Sequence, residues 1–158
     1  MKLIKPYFNI IEQQSGLEGM YKQIEMAGRT CYKSEDKITE TSAKEFVDRM
    51  IKSGHGAMLE HGTVYLKAGY EVEIFAGQEE TTNPLLNYID NKYSKTVEYD
   101  GVLYVTTNLR VLVENGWLHN LEYICKPTEH HERRYTVKFI CDRGVSHEFV
   151  RHKTLCVA

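Results

Sequence analysis

The stretch that most constrains this chain is K-T-V-E-Y-D-G-V-L-Y-V-T-T, from Lys95 to Thr107. Asp100-Gly101 sits between two runs in which apolar and polar residues alternate, and a two-residue turn of this kind needs positive φ at both of its positions. The spacing therefore predicts an antiparallel hairpin. Directly after it, Asn108 can cap a helix over Leu109 to Glu114, and Gly116 can terminate it. A second short helix is expected from Asn120 to Cys125, before Pro127.

Upstream, K-L-I-K-P-Y-F-N-I-I-E (residues 2–12) reads as an opening strand that Pro6 confines to a sheet edge. Leu17, Met20, Tyr21, Ile24 and Ala27 recur at helical spacing and predict a helix over Leu17 to Ala27. A polar loop follows from Lys33 to Glu40. Ser42 and Glu45 have the spacing of a capping box, and Ala43, Phe46, Val47, Met50 and Ile51 form one apolar stripe of a helix that ends at Gly54. Thr63 to Phe75 alternates as a strand with one buried face, bent at Gly69. Arg134 to Cys141 is a last strand, and Asp142 is placed to cap a helix from Arg143 towards Lys153, with Val145, Phe149 and Val150 turned to the core. The class is α+β: a mixed or antiparallel sheet with a long hairpin and flanking helices.

At 158 residues the chain is expected to form a single domain, residues 1–158, with a core of ordinary size. Its 20 Lys and Arg against 22 Asp and Glu are mixed along the sequence, without the basic excess that binding a phosphate backbone requires, so no nucleic acid is expected as a partner. No apolar run has the length of a signal peptide or of a membrane span, and the expectation is a soluble, cytoplasmic protein that does not engage a membrane. Cys31, Cys125, Cys141 and Cys156 form no C-x-x-C pair and are read as reduced thiols.

Three segments could carry chemistry. Ser53 to Gly62 (S-G-H-G-A-M-L-E-H-G) puts His55, Glu60 and His61 between a helix and a strand, where binding groups are often held. The alternative is a polar loop that only tucks Met58 and Leu59 into the core. Asp142 to Lys153 (D-R-G-V-S-H-E-F-V-R-H-K) sets His147 beside Arg151 and Glu148 beside His152 at i, i+4 spacing. Arg151, His152 and Lys153 make a cationic cluster suited to a phosphate or an anionic ring edge, or else simply a solvated helix end. Glu129 to Arg134 (E-H-H-E-R-R) reads as a solvated turn. A zinc site is the rival use of these histidines, but H-E-x-x-H is not met, because Arg151 stands at the second histidine position. No metal is expected.

Together, G-H-G-A-M-L-E-H-G (Gly54 to Gly62) before a strand and D-R-G-V-S-H-E-F-V-R-H-K (Asp142 to Lys153) resemble the flavin-dependent thymidylate synthases, also called the thymidylate synthase complementing protein family. Members carry an H-x-(S/T)-x-x-E-H loop and a helix ending in R-H-R. A-G-R-T-C-Y (Ala27 to Tyr32) is similar to a further family segment and stands in the right order. The resemblance implies reductive methylation of dUMP to dTMP with methylenetetrahydrofolate, FAD and NADPH, in a homotetramer. By similarity Ala57, Arg151, His152 and Lys153 contact FAD, and Glu60 supports the loop. His55 lies near flavin and folate, and Glu148 and Arg151 hold the nucleotide. Residues 79–127 correspond to a longer hairpin-and-helix insertion than compact members have.

The sequence also departs from the family pattern. Lys153 replaces the second Arg of R-H-R and cannot offer a paired guanidinium fork. Ala57 replaces a hydroxyl residue and loses a hydrogen bond of about 1 kcal/mol. After R-H-K, Thr154 to Ala158 do not resemble the E-S-x-R-Y-like run that grips dUMP in the family. The expectation is an N-terminal portion of such an enzyme, with its catalytic set incomplete and activity absent. The alternative is a non-catalytic flavin- or nucleotide-binding fragment, or an interaction module that keeps only the fold.

Overall fold

The structure is a computed structural model, and it describes residues 5–75 and 78–149. Its elements run β1 (Tyr7–Ile11), α1 (Gly16–Cys31), α2 (Ser42–Lys52), α3 (Gly56–Leu59), β2 (Thr63–Gly69), β3 (Glu71–Phe75), β4 (Gln78–Thr82), β5 (Lys95–Tyr99), β6 (Val102–Asn108), α4 (Leu109–Asn115), β7 (Thr136–Ile140) and α5 (Arg143–Phe149). Short 3-10 turns lie at Glu35–Lys37, Leu86–Tyr88 and Leu118–Tyr123. The class is α+β, and every strand pairing among the described residues is antiparallel.

The central sheet has the order β2-β6-β5. Asp100 and Gly101 take φ of 50° and 69°, the left-handed pair that the hairpin turn between β5 and β6 needs. Register then decides which side is buried. Val64, Leu66 and Ala68 of β2 face Thr107, Val105 and Leu103 of β6, and all six are buried. Tyr65, Lys67 and Tyr104 fall on the other face. The free edge of β2 is continued by Ile124, which bridges to Leu66, while the Cys125 N–H donates to the Tyr65 carbonyl at 2.9 Å.

Helices α1 and α2 close the buried face. Met20 and Ile24 of α1 meet Phe46, Val47 and Met50 of α2 in the core, and α4 adds Leu109, Val111 and Leu112. The approach of α1 to α2 depends on Gly28, where a Cβ atom would stand 2.4 Å from the Phe46 ring. Asn108 caps α4 as expected, its Oδ1 accepting from the Val111 N–H at 3.1 Å, and Gly116 closes it at φ 72°. Residues 79–127 thus supply the middle strand of the sheet and, with Leu85 and Tyr88, a large part of the core.

Several expectations need correction. The capping box at Ser42 does not form: no side chain caps α2. The Ser42 hydroxyl instead donates to Glu25 at 2.9 Å and accepts from the Thr39 N–H at 2.9 Å, because a buried carboxylate competes more strongly for it than a solvated helix end. The strand expected over residues 63–75 breaks after Gly69. The Tyr70 N–H donates to the Gly101 carbonyl at 3.2 Å, and β3 leaves to pair with β4, so Val72 is 62% exposed. Asn83 ties down the departure point: its amide donates to the Ala68 and Gly69 carbonyls at 3.0 Å each, and its Oδ1 accepts from the Leu85 N–H at 2.9 Å. The helix expected near Asn120 is a 3-10 turn.

The chain's first and last described strands make a separate two-stranded sheet, β1-β7. β1 starts directly after Pro6, in keeping with the edge position read for it. α5 follows β7, with Asp142 Oδ1 accepting from the Val145 N–H at 3.1 Å. None of its residues is buried: Val145 is exposed, and Phe149 packs instead on Phe139 of β7, ring centroids 4.8 Å apart. The core-facing stripe expected for this helix is absent because its neighbour is an exposed ribbon. Val150 and the residues after it lie outside the described residues.

Candidate functional site

The loop read as a possible binding segment is built by burying its middle. Met58 and Leu59 of α3 enter the core, which leaves His55 and Glu60 at the two ends of this short helix and nearer the surface. Gly54, at φ 69°, turns the chain out of α2, and the His55 N–H then donates to the Met50 carbonyl at 2.9 Å. His55 faces the end of α1: its Nε2 is 3.3 Å from the Tyr32 hydroxyl, with both side chains exposed.

Glu60 is held from the other side. Its carboxylate pairs with the Arg110 guanidinium of α4, and the Arg110 Nε also donates to Glu114 at 2.6 Å. These bonds, Glu114 first and Glu60 second, push the Arg110 pKa further up, so the cation is permanent. The Arg110 side chain passes over Gly56, where a Cβ would meet its Nε at 3.0 Å. The Leu109 N–H donates to the Gly62 carbonyl at 3.1 Å, a second link between α4 and the loop. With two carboxylates on one guanidinium the cluster is net anionic. It can orient the loop, and the exposed His55 and Tyr32 pair at the other end of α3 can donate to and accept from a polar ring. Beside it, burial pulls the His61 pKa down, against a weaker upward pull from Glu60.

No protein-family model, curated protein or solved structure matches this chain. The site therefore rests on its own chemistry.

Of the residues singled out in the sequence, His55, Ala57 and Glu60 fall together on the loop, and Ala57 is exposed. Glu148 lies on the exposed face of α5. Arg151, His152 and Lys153 lie outside the described residues. On the loop itself, Glu60 is paired with Arg110 and His55 lies against the Tyr32 hydroxyl. Among the described residues no three His, Cys, Asp or Glu side chains gather as metal ligands, and no helix is long and apolar enough to cross a membrane.

Arg110 was not visible as a site residue in the sequence. The only signal was its i, i+4 spacing to Glu114; its bond to Glu60 spans 50 residues. The turn at Glu129 to Arg134 also needs correction. His131 is only 5% exposed, with its ring edge-on to Tyr65 and Tyr104. Its Nδ1 accepts from the Thr128 N–H at 3.1 Å, which leaves Nε2 as the donor to the Leu66 carbonyl at 3.1 Å. Burial is the main cause that lowers its pKa. Cys125 Sγ stands 3.8 Å from the same Nε2, but burial raises its thiol pKa, so it is not an activated thiolate. His130 stacks on Tyr99, centroids 4.4 Å apart. Glu129, Glu132 and Arg133 of this segment are exposed as expected, while the aromatic face of the sheet takes both imidazoles.

Proposed function

We propose that this chain is of the flavin-dependent thymidylate synthase lineage: a cytoplasmic homo-oligomer that binds FAD and dUMP, for a reaction that also takes methylenetetrahydrofolate and NADPH. One observation supports the reading above the others. The A-G-R-T-C-Y segment and the G-H-G-A-M-L-E-H-G loop, whose resemblance suggested it, are neighbours in the fold, with the Tyr32 hydroxyl 3.3 Å from His55 Nε2. Two sequence motifs that need not have met share one exposed edge.

On this reading the flavin supplies hydride chemistry when bound, and the chain's residues position it. Arg151, His152 and Lys153 neutralise its anionic pyrophosphate or ring edge. Ala57 packs against it, Glu60 holds the loop through Arg110, and His55 donates to a ring atom. Glu148 and Arg151 face the nucleotide. Ala57 and Lys153 each remove a hydrogen bond that the family pattern has, which favours weak flavin binding.

The test is titration of FAD into the purified chain, read as quenching of flavin fluorescence. Saturable quenching that Arg151→Ala and His152→Ala weaken supports the reading, and absence of quenching removes it. An anaerobic assay with dUMP, methylenetetrahydrofolate, NADPH and FAD then separates the two forms of the proposal. Product above a no-enzyme control assigns catalysis, and quenching without product assigns a non-catalytic flavin-binding protein.

A further inference from the structure

Among the described residues β1 has a strand partner on one side only, β7. Tyr7, Phe8 and Ile10 are 52%, 61% and 58% exposed, and the strand Y-F-N-I-I carries no charge. A two-stranded sheet is marginal by itself and is stabilised by further strands. Charged residues are a common way of blunting an edge, and β1 has none.

The order of residues in β1 is self-complementary. When two antiparallel copies of a strand are related by a two-fold axis, opposed side chains lie on the same face, so the axis must pass through a residue that faces its own equivalent. With the axis at Asn9, Phe8 faces Ile10 of the second copy and Tyr7 faces Ile11. Every flanking position then pairs an aromatic with a β-branched side chain, a favourable cross-strand combination. The two Asn9 amides meet, each with a donor and an acceptor for the other.

Two other edge strands, β7 and β5, lack this complementarity. β7 centred on Lys138 sets two ammonium groups against each other. β5 centred on Val97 opposes Thr96 to Glu98 and Lys95 to Tyr99, so neither charge meets its opposite.

We infer that β1 is the docking edge for a second copy of this chain, forming a four-stranded antiparallel sheet in the order β7-β1-β1-β7. Phe8 faces Phe139 and Ile10 faces Val137 across the existing pair, so one apolar face runs through both copies. Five residues per strand make a small interface, below the roughly 1,000 Å² of a lasting complex, so the dimer is concentration-dependent. The inference does not rest on the flavin reading.

The experiment uses the full chain with Asn9→Cys. Directly opposed residues in antiparallel strands have Cα atoms about 4.5 to 5.5 Å apart, within reach of a disulfide. Under oxidised glutathione, Asn9→Cys should give a reducible covalent dimer, and Lys138→Cys, on the opposite strand, should give no more than the unsubstituted chain. Sedimentation velocity of the unsubstituted chain should show dimer rising with concentration, and Asn9→Lys should abolish it while leaving the far-UV circular dichroism unchanged. A chain that is monomeric at all concentrations overturns the inference. So does equal cross-linking from both cysteine variants, or an Asn9→Lys variant that still dimerises.

Discussion

His131 illustrates how a residue's surroundings decide its role. In the sequence it is one of two adjacent histidines in a charged run; in the fold both its nitrogens bond to main-chain groups, Thr128 N–H and Leu66 C=O. His131→Phe keeps an aromatic ring but orphans both groups, and should cost about 2 to 4 kcal/mol in denaturant unfolding. The lowered pKa has a defined sign. The folded state resists a proton that the unfolded chain accepts near the ordinary value of 6.5, so stability is held above that pH and lost as pH falls below it. His61, lowered by burial as well, adds in the same direction. Denaturant midpoints should therefore fall between about pH 7 and about pH 5, and less steeply in His131→Phe. A pH-independent midpoint would show that neither imidazole is held neutral.

At the scale of elements, α1 and α2 are joined by a polar contact within an apolar interface. Glu25 is 1% exposed, and its oxygens accept from Arg29 at 3.2 Å and from Ser42 at 2.9 Å. The Arg29 guanidinium in turn lies 4.9 Å from the centre of the Phe46 ring. A buried pair of this kind contributes little against an apolar replacement, but removing one partner strands the other. Arg29→Met should thus destabilise the protein by about 3 kcal/mol, and the double variant Arg29→Met with Glu25→Leu should recover much of that in equilibrium unfolding. An additive double variant would mean that the two side chains are not coupled. Loop 53–62 has the analogous link in Glu60 and Arg110, nearer the surface, where the pair orients the loop more than it stabilises the fold.

The whole molecule divides into a well-packed body and an exposed ribbon. β2 and β6 pair along their full lengths and bury one face under three helices, whereas β1, β7 and α5 contribute no residue to the buried core. Amides with few buried neighbours open at low free energy. In dilute solution, hydrogen exchange should label residues 7–11 and 136–149 well before 63–69 and 102–108. Equal protection of the two sets would show that the ribbon is integrated into the body.

Local chemistry is legible in the sequence wherever neighbours in the chain decide the outcome. The Asp100-Gly101 turn, the Asn108 cap, the stripe of α2 and the edge position of β1 all follow from φ preferences, side-chain reach and period. The competitors came from afar. Glu25 took the Ser42 hydroxyl from its cap, Asn83 and Gly101 drew the chain out of β2, and Arg110 reached Glu60 across 50 residues. Of the candidate site, His55 and Glu60 could be read from their loop, but the pairing of His55 with Tyr32 and the Arg110 clamp could not. The sequence by itself determined the apolar stripes of α1 and α2, the turn between β5 and β6 and the cap of α4, since these are set by periodicity and φ preference along the chain. Only the tertiary structure decided which polar groups satisfy one another, because a buried donor or acceptor bonds to whatever packing brings within about 3 Å, however distant in sequence.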